Sequence, residues 1–195
     1  MLATSVHASP TKDEMPSDVV ADRFLWACCA NTTEAAVCYD SLLPRARSFE
    51  GNFVKVTTAA TIIAYEQLCS FVAELRSLLR GGTGLGKSMD RSLESCVEYL
   101  EDVALFNEDD VLATLQRLET IEGRKGKHAK YYLGGVSTGV SEVATSINLV
   151  YMDNISGWGN GRVLVSPVGK KMVTGNATVT LYGKIALDLV ASIKL

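Results

Sequence analysis

Apolar residues recur along this chain at helical spacing almost without interruption, and the alternation expected of strands is scarce. After a polar opening to about Asp18, the first periodic stretch is Val19-Val-Ala-Asp-Arg-Phe-Leu-Trp-Ala. Between Phe53 and Arg80 a broad stripe of Ile62, Ile63, Leu68, Phe71, Val72, Leu75 and Leu79 predicts a long core helix. Gly81-Gly-Thr-Gly-Leu-Gly ends it, because clustered glycines favour positive backbone angles and a freer unfolded chain. Leu93, Cys96, Val97, Leu100 and Ala104 then mark one face of a second helix, with Asp90, Arg91, Glu94, Glu98, Glu101 and Asp102 on the rest. Asn107-Glu-Asp-Asp-Val reads as the cap and acidic first turn of a third helix, whose face is Val111, Leu112, Leu115 and Leu118. A basic loop, Gly123-Arg-Lys-Gly-Lys-His, precedes a further helix from Val136 to Met152. The Gly-, Ser- and Asn-rich stretch from Ile155 to Gly175 reads as a long loop. From Ala177 onward Val179, Tyr182, Ile185, Ala186, Leu189 and Ile193 predict a terminal helix, with Lys184 and Lys194 toward its end.

Ahead of these helices lies Cys29-Ala-Asn-Thr32-Thr-Glu-Ala-Ala-Val-Cys38. Either threonine can cap a following helix, so the chain is expected to double back as a short helical hairpin. A disulfide across it would contribute roughly 2–3 kcal/mol by restricting the unfolded chain, which matters for helices too short to persist alone. The fold class that follows is all-α, an antiparallel helical bundle with an N-terminal helical hairpin. Residues 1–18 are expected to be a flexible segment and residues 19–195 a single domain.

The length of 195 residues suffices for one continuous core, and a hydrophobic share of 47% with 4 prolines argues against a linker-rich chain. The net charge of -3 and a pI of about 5.5 offer no basic field to hold phosphate backbones or anionic lipid, so neither nucleic acid nor a membrane is an expected partner. No uninterrupted apolar stretch reaches the roughly 18–20 residues needed to cross a bilayer. Cys28, Cys29, Cys38, Cys69 and Cys96 are odd in number, so at least one thiol stays out of internal pairing. The triplets at Asn31, Asn154 and Asn176 match the N-glycosylation pattern, which arises often by chance.

Three segments together resemble the plant invertase and pectin methylesterase inhibitor family. Cys29-x-x-Thr32 through Cys38 and Leu42 is similar to its amino-terminal pair of cysteines around a threonine. Ser92-Leu-Glu-Ser-Cys96-Val-Glu-Tyr-Leu-Glu-Asp-Val resembles its central helix, and Leu181-Tyr-Gly-Lys-Ile-Ala-Leu-Asp-Leu resembles its closing helix, with Tyr182, Gly183 and Lys184 departing from the usual polar pair. The resemblance covers about Asp22 to the end. It implies an up-and-down four-helix bundle, a Cys29–Cys38 disulfide, no catalytic activity and no cofactor. It also implies docking on a carbohydrate-active enzyme, pectin methylesterase or acid invertase, so as to cover its substrate cleft. The Pro-Lys-Phe loop of the invertase branch is absent, which favours pectin methylesterase as target. By motif position Ser141 and Thr145, and by acidity Glu98 and Asp102, are the candidate contacts; the plain alternative for each is a solvated helix surface.

Two departures follow from the same comparison. The cysteine expected around Val150 to Asp153 is missing, which leaves Cys69 as a candidate second-disulfide partner for Cys96. The resemblance implies secretion to the apoplast, whereas the start as written shows no apolar run for a signal peptide, and a start lying further upstream reconciles the two.

Gly81-Gly-Thr-Gly-Leu-Gly86-Lys87-Ser88 satisfies the phosphate-loop pattern letter for letter, giving an alternative reading as a nucleotide-binding protein. In that reading Lys87 would neutralise phosphate and Ser88 would hold magnesium. A working loop leaves a buried parallel strand, however, and this one follows a stretch that is helical by spacing. His7 and His128 lie far from any Cys or carboxylate at ligand spacing, so no metal site is expected. Neither a nucleophile elbow nor an acid pair at catalytic spacing is present, and an enzyme is not expected.

Overall fold

The computed structural model describes residues 17–120, 124–155 and 165–195, and among them every regular element is helical. The chain opens with α1, Ser17–Cys29, and α2, Ala35–Leu42, followed by a 3-10 turn over Leu43–Phe49 that Pro44 begins. Four long helices follow: α3, Phe53–Gly81; α4, Lys87–Leu118; α5, Ala129–Ile155; and α6, Pro167–Ala191. The expected mobile start lies, for residues 1–16, outside the described residues.

Local chemistry sets the boundaries. Asn52 caps α3 by accepting from the Val54 amide at 3.0 Å, and its Nδ2 donates to the Glu119 carbonyl at 3.1 Å, tying the start of α3 to the end of α4. Ser166 caps α6 through the Gly169 amide at 3.0 Å, with Pro167 in the first turn where its missing N–H costs nothing.

Each long helix packs on its neighbour in sequence, and α6 closes back on α3. The interior is built from Leu68 and Leu75 of α3, Leu93, Leu100, Leu115 and Leu118 of α4, Val136, Val140 and Val143 of α5, and Met172, Ile185 and Leu189 of α6. Fully burying such side chains contributes roughly 1.5–3 kcal/mol each. The same core extends into the hairpin through Leu25, Cys29, Cys38, Leu42 and Phe49. By length and composition α3 is apolar enough to cross a membrane, yet 56% of its most apolar window is buried against the other helices, which is how a core helix satisfies the same test.

Two expectations are corrected. Asn107-Glu-Asp-Asp does not start a new helix, because α4 runs unbroken from Lys87 to Leu118. The reason is phase: Ala104 and Val111 are seven residues apart, two turns, so the buried side resumes on the same face, and no glycine or proline lies between them. The supposed long loop from Ile155 to Gly175 is helical from Pro167 onward, and residues 156–164 lie outside the described residues. Val168, Met172 and Val179 keep the apolar spacing through that stretch. Gly175 is there for space, since a Cβ on it would lie 2.0 Å from the Phe71 ring.

Gly183 marks where α5 and α6 come closest. A Cβ there would stand 2.8 Å from Ala144 Cα and 3.0 Å from its backbone nitrogen, and a backbone cannot give way as a side-chain tip does. Helix propensity favours alanine over glycine by about 1 kcal/mol, so the steric term acts alone in the opposite direction. Gly183→Ala is expected to lower stability by about 1–2 kcal/mol in urea unfolding, and a more stable variant would show that the helices do not cross this closely.

Candidate functional site

The hairpin is clasped as the cysteine spacing suggested. Cys29 and Cys38 are disulfide-bonded with Cα atoms 5.6 Å apart, and both are fully buried. Neither threonine caps α2, whose Ncap position is Glu34 with no side-chain bond. Thr32 turns back instead, its hydroxyl donating to the Cys29 carbonyl at 2.8 Å. Thr33 donates from both its amide and its hydroxyl to Asp188 Oδ2, each at 2.7 Å, which fastens the tip of the hairpin to α6. Asp188 was not singled out from the sequence, because its partner is 155 residues away. Trp26 and Tyr39 meet edge to face across the two helices at 5.3 Å.

Cys28, beside the clasp, is a buried thiol whose pKa burial pushes up to about 11, so it is a poor nucleophile at neutral pH. The Cys69–Cys96 bridge is not formed. Cys69 lies on the exposed side of α3, whereas Cys96 lies on the inward stripe of α4 between Leu93 and Leu100, so helical phase turns the two apart. Burial raises the Cys96 pKa to about 11 as well. Of the candidate glycosylation sites, Asn31 is exposed at the hairpin turn. Asn176 sits within α6, where its Oδ1 accepts from the Thr180 hydroxyl at 3.2 Å, and the side chain of Asn154 lies outside the described residues.

The outer surface of α4 is an acidic ridge. Glu94, Glu98, Glu101, Asp102, Glu108, Asp109 and Asp110 follow one another with no Lys or Arg between Arg91 and Arg117. Glu98 and Asp102 are exposed one turn apart, while Glu101 is paired with Arg76 of α3. Glu108 is held above the usual carboxylate range, first by burial and then by the charges of Asp109 and Glu66. Leu105, 74% exposed, and Tyr99 stand among these acids as apolar points that the sequence reading overlooked, because both fall off the core stripe. On neighbouring α5, Thr145 is exposed and Ser141 half-buried, and the Thr145 hydroxyl donates to the Ser141 carbonyl at 2.8 Å. The acidic pair and the hydroxyl pair thus occupy adjacent helices without bonding to each other. Deeper in, the hydroxyls of Thr61 and Tyr65, one turn apart on α3, are buried with no hydrogen-bond partner among the described residues. The Tyr65 phenol is pushed up by burial first, then by Glu108 and Glu142.

The glycine-rich segment is the turn between α3 and α4. Gly82, Gly84 and Gly86 have φ of 71°, 69° and 101°, the left-handed region that glycine alone enters without strain. Asp90 Oδ1 accepts from the Thr83 hydroxyl at 2.6 Å and the Thr83 amide at 3.1 Å, and the Leu85 amide donates to Thr83 Oγ1 at 3.2 Å. Two of the amide donors that a phosphate loop would offer to an anion, those of Thr83 and Leu85, are here engaged by the protein's own carboxylate and hydroxyl. The segment leaves a helix rather than a strand.

No family model matches the chain, and no solved structure matches it. An uncharacterised protein of rice, Oryza sativa subsp. japonica, is 34% identical over 134 residues, which cover 63% of this chain and 58% of that protein. The chain therefore spans less than two thirds of the length of this relative.

The glycine turn yields a pH-dependent expectation. The Thr83 hydroxyl, then its amide, hold the Asp90 carboxyl below its ordinary value of 3.8. A depressed carboxyl stabilises the fold above its unfolded pKa, and that stabilisation is lost as pH falls through the folded value. Asp90→Asn should melt below the parent at pH 7, and the gap should close on acidification below pH 3.8. A gap that is the same at both pH values would refute the carboxylate's role.

Proposed function

We propose that this chain is a proteinaceous inhibitor of pectin methylesterase that works by covering the enzyme's substrate cleft, with the up-and-down four-helix bundle of the plant invertase and pectin methylesterase inhibitors. The observation that carries the reading is the Cys29–Cys38 clasp, which folds α1 back onto α2 ahead of four long helices packed in sequence. That clasp belongs to an oxidising compartment, which supports secretion to the cell wall. The ridge around Glu98 and Asp102 supports a protein partner of opposite charge, with Leu105 and Tyr99 as apolar contacts within it. Ser141 and Thr145, on the next helix, are a second candidate contact, apart from that ridge. An acidic face steers a basic enzyme into encounter and raises the association rate more than the final affinity.

Incubation with purified pectin methylesterase and with acid invertase, followed by residual activity, tests this directly. Pectin methylesterase is expected to lose activity in proportion to added inhibitor. Glu98→Lys combined with Asp102→Lys should slow association by roughly tenfold at low salt, and the deficit should shrink as salt is added. Lys87→Ala should leave inhibition intact. Full activity of both enzymes would end the proposal, and loss of invertase activity alone would assign the chain to the sibling branch.

A further inference from the structure

Beyond the acidic ridge, where α4 approaches its C-terminus, an open groove of about 480 Å³ separates α4 from the first turns of α5. Tyr131 stands at its edge, 79% exposed, so its ring adds little to the core. Its neighbour Tyr132 is the ring that the surrounding side chains hold. Tyr131 meets Tyr132 edge to face at 6.2 Å, and the Arg117 guanidinium lies 5.8 Å over the Tyr132 ring. His128 packs at 6.3 Å on Tyr132, a third contact holding that ring. Two carboxylates, Asp110 of α4 and Glu142 of α5, line the groove. Between Tyr131 and Glu142 the lining passes over Gly135, beside which a Cβ would meet nothing within 4 Å, so the lane lies open over bare backbone. The hydroxyl of Thr138 borders the same lane.

The exposed ring of Tyr131, in a groove that also holds two carboxylates and a guanidinium, suits one ligand chemistry above others. The C–H face of a pyranose stacks on an aromatic ring through the ring's negative face, while paired sugar hydroxyls donate to carboxylates and accept from arginine. The lining is too polar and too open for a purely apolar ligand, which needs enclosure. Two carboxylates against one guanidinium disfavour an anionic sugar. We propose that this groove binds an uncharged oligosaccharide, with one pyranose ring on Tyr131 and its hydroxyls on Asp110 and Glu142. The assignment stands independently of enzyme inhibition, since it uses a different part of the surface.

Titration of the isotope-labelled full chain with uncharged hexasaccharides of gluco, manno, xylo and galacto configuration, followed by amide chemical shifts, tests it. At least one of them should give saturable shifts at residues 110–117 and 131–142. Tyr131→Ala should weaken that binding by roughly tenfold, whereas Tyr99→Ala, which removes an exposed ring elsewhere on α4, should not. The proposal is overturned if none of the four saturates, if Tyr131→Ala binds as well as the parent, or if hexagalacturonate binds more tightly than every uncharged probe. Saturation by heparin alone would also overturn it, since that would reflect only the charges of the neighbouring basic loop.

Discussion

The packing of α3 joins the four long helices to the hairpin. Helix α3 is the one on which α4 and α6 both pack, and the hairpin rests against its start through α1, α2 and the 3-10 turn. Its buried side is not simply a row of large residues: Ala59, Ala60, Thr61 and Ala64 lead into Tyr65, Leu68, Phe71, Val72 and Leu75. Small residues near the hairpin let neighbouring backbones approach, and bulk is supplied farther along, where Gly175 of α6 makes room for the Phe71 ring. Such a core is sensitive to volume at each position, because a packed interior has no slack to absorb an extra methyl group.

The hairpin depends on this frame in a different way. Alone, helices of 13 and 8 residues would not persist in water. The disulfide holds them to each other, and Thr33 with Asp188 holds their turn to α6. One link is covalent and the other is a pair of charge-assisted hydrogen bonds near the surface, so the clip is joined more firmly to itself than to the helices beneath it. This hierarchy suits an element that keeps its shape while its outward side, with Trp26 about half exposed, stays available for contact.

The parts of the fold legible in the sequence are those where one local rule acts alone. Leu68, Phe71, Val72 and Leu75 are buried as their spacing predicts, and the glycine cluster stops α3 as glycines do. Ile62 and Ile63 are only partly buried, because α3 turns its alanines and threonines inward at that level and hydrophobicity alone misjudges the face. The break expected at Asn107 is absent for a related reason: cap-forming residues permit a helix start without requiring one, and the buried faces on either side, Leu93 to Ala104 and Val111 to Leu118, are in phase on one helix. The start of α6 was missed although Ser166-Pro167 is a helix-start pair, because glycines at 169 and 175 resemble a loop when their packing partners are unknown. Of the candidate site, the acidic character of α4 was readable, but Leu105, Tyr131 and Asp188 were not. Exposure and contacts across 155 residues have no local signature.

The closing helix shows how a residue unfavourable to a helix by itself can be required by packing. Gly183 lies inside this helix, and in isolation a glycine there weakens a helix. In place, Gly183 is where the backbone of α6 meets Ala144 of α5, and no larger residue fits without displacing one helix. Ala144 stands between Ser141 and Thr145, so the same contact fixes how far α5 carries those hydroxyls from the rest of the molecule. The spacing of α5 from α6 is thereby set by an approach of backbone to backbone rather than of side chain to side chain. A larger residue at Gly183 would therefore strain both helices, because the atoms it meets belong to the backbone of α5 and a packed interior transmits such a displacement.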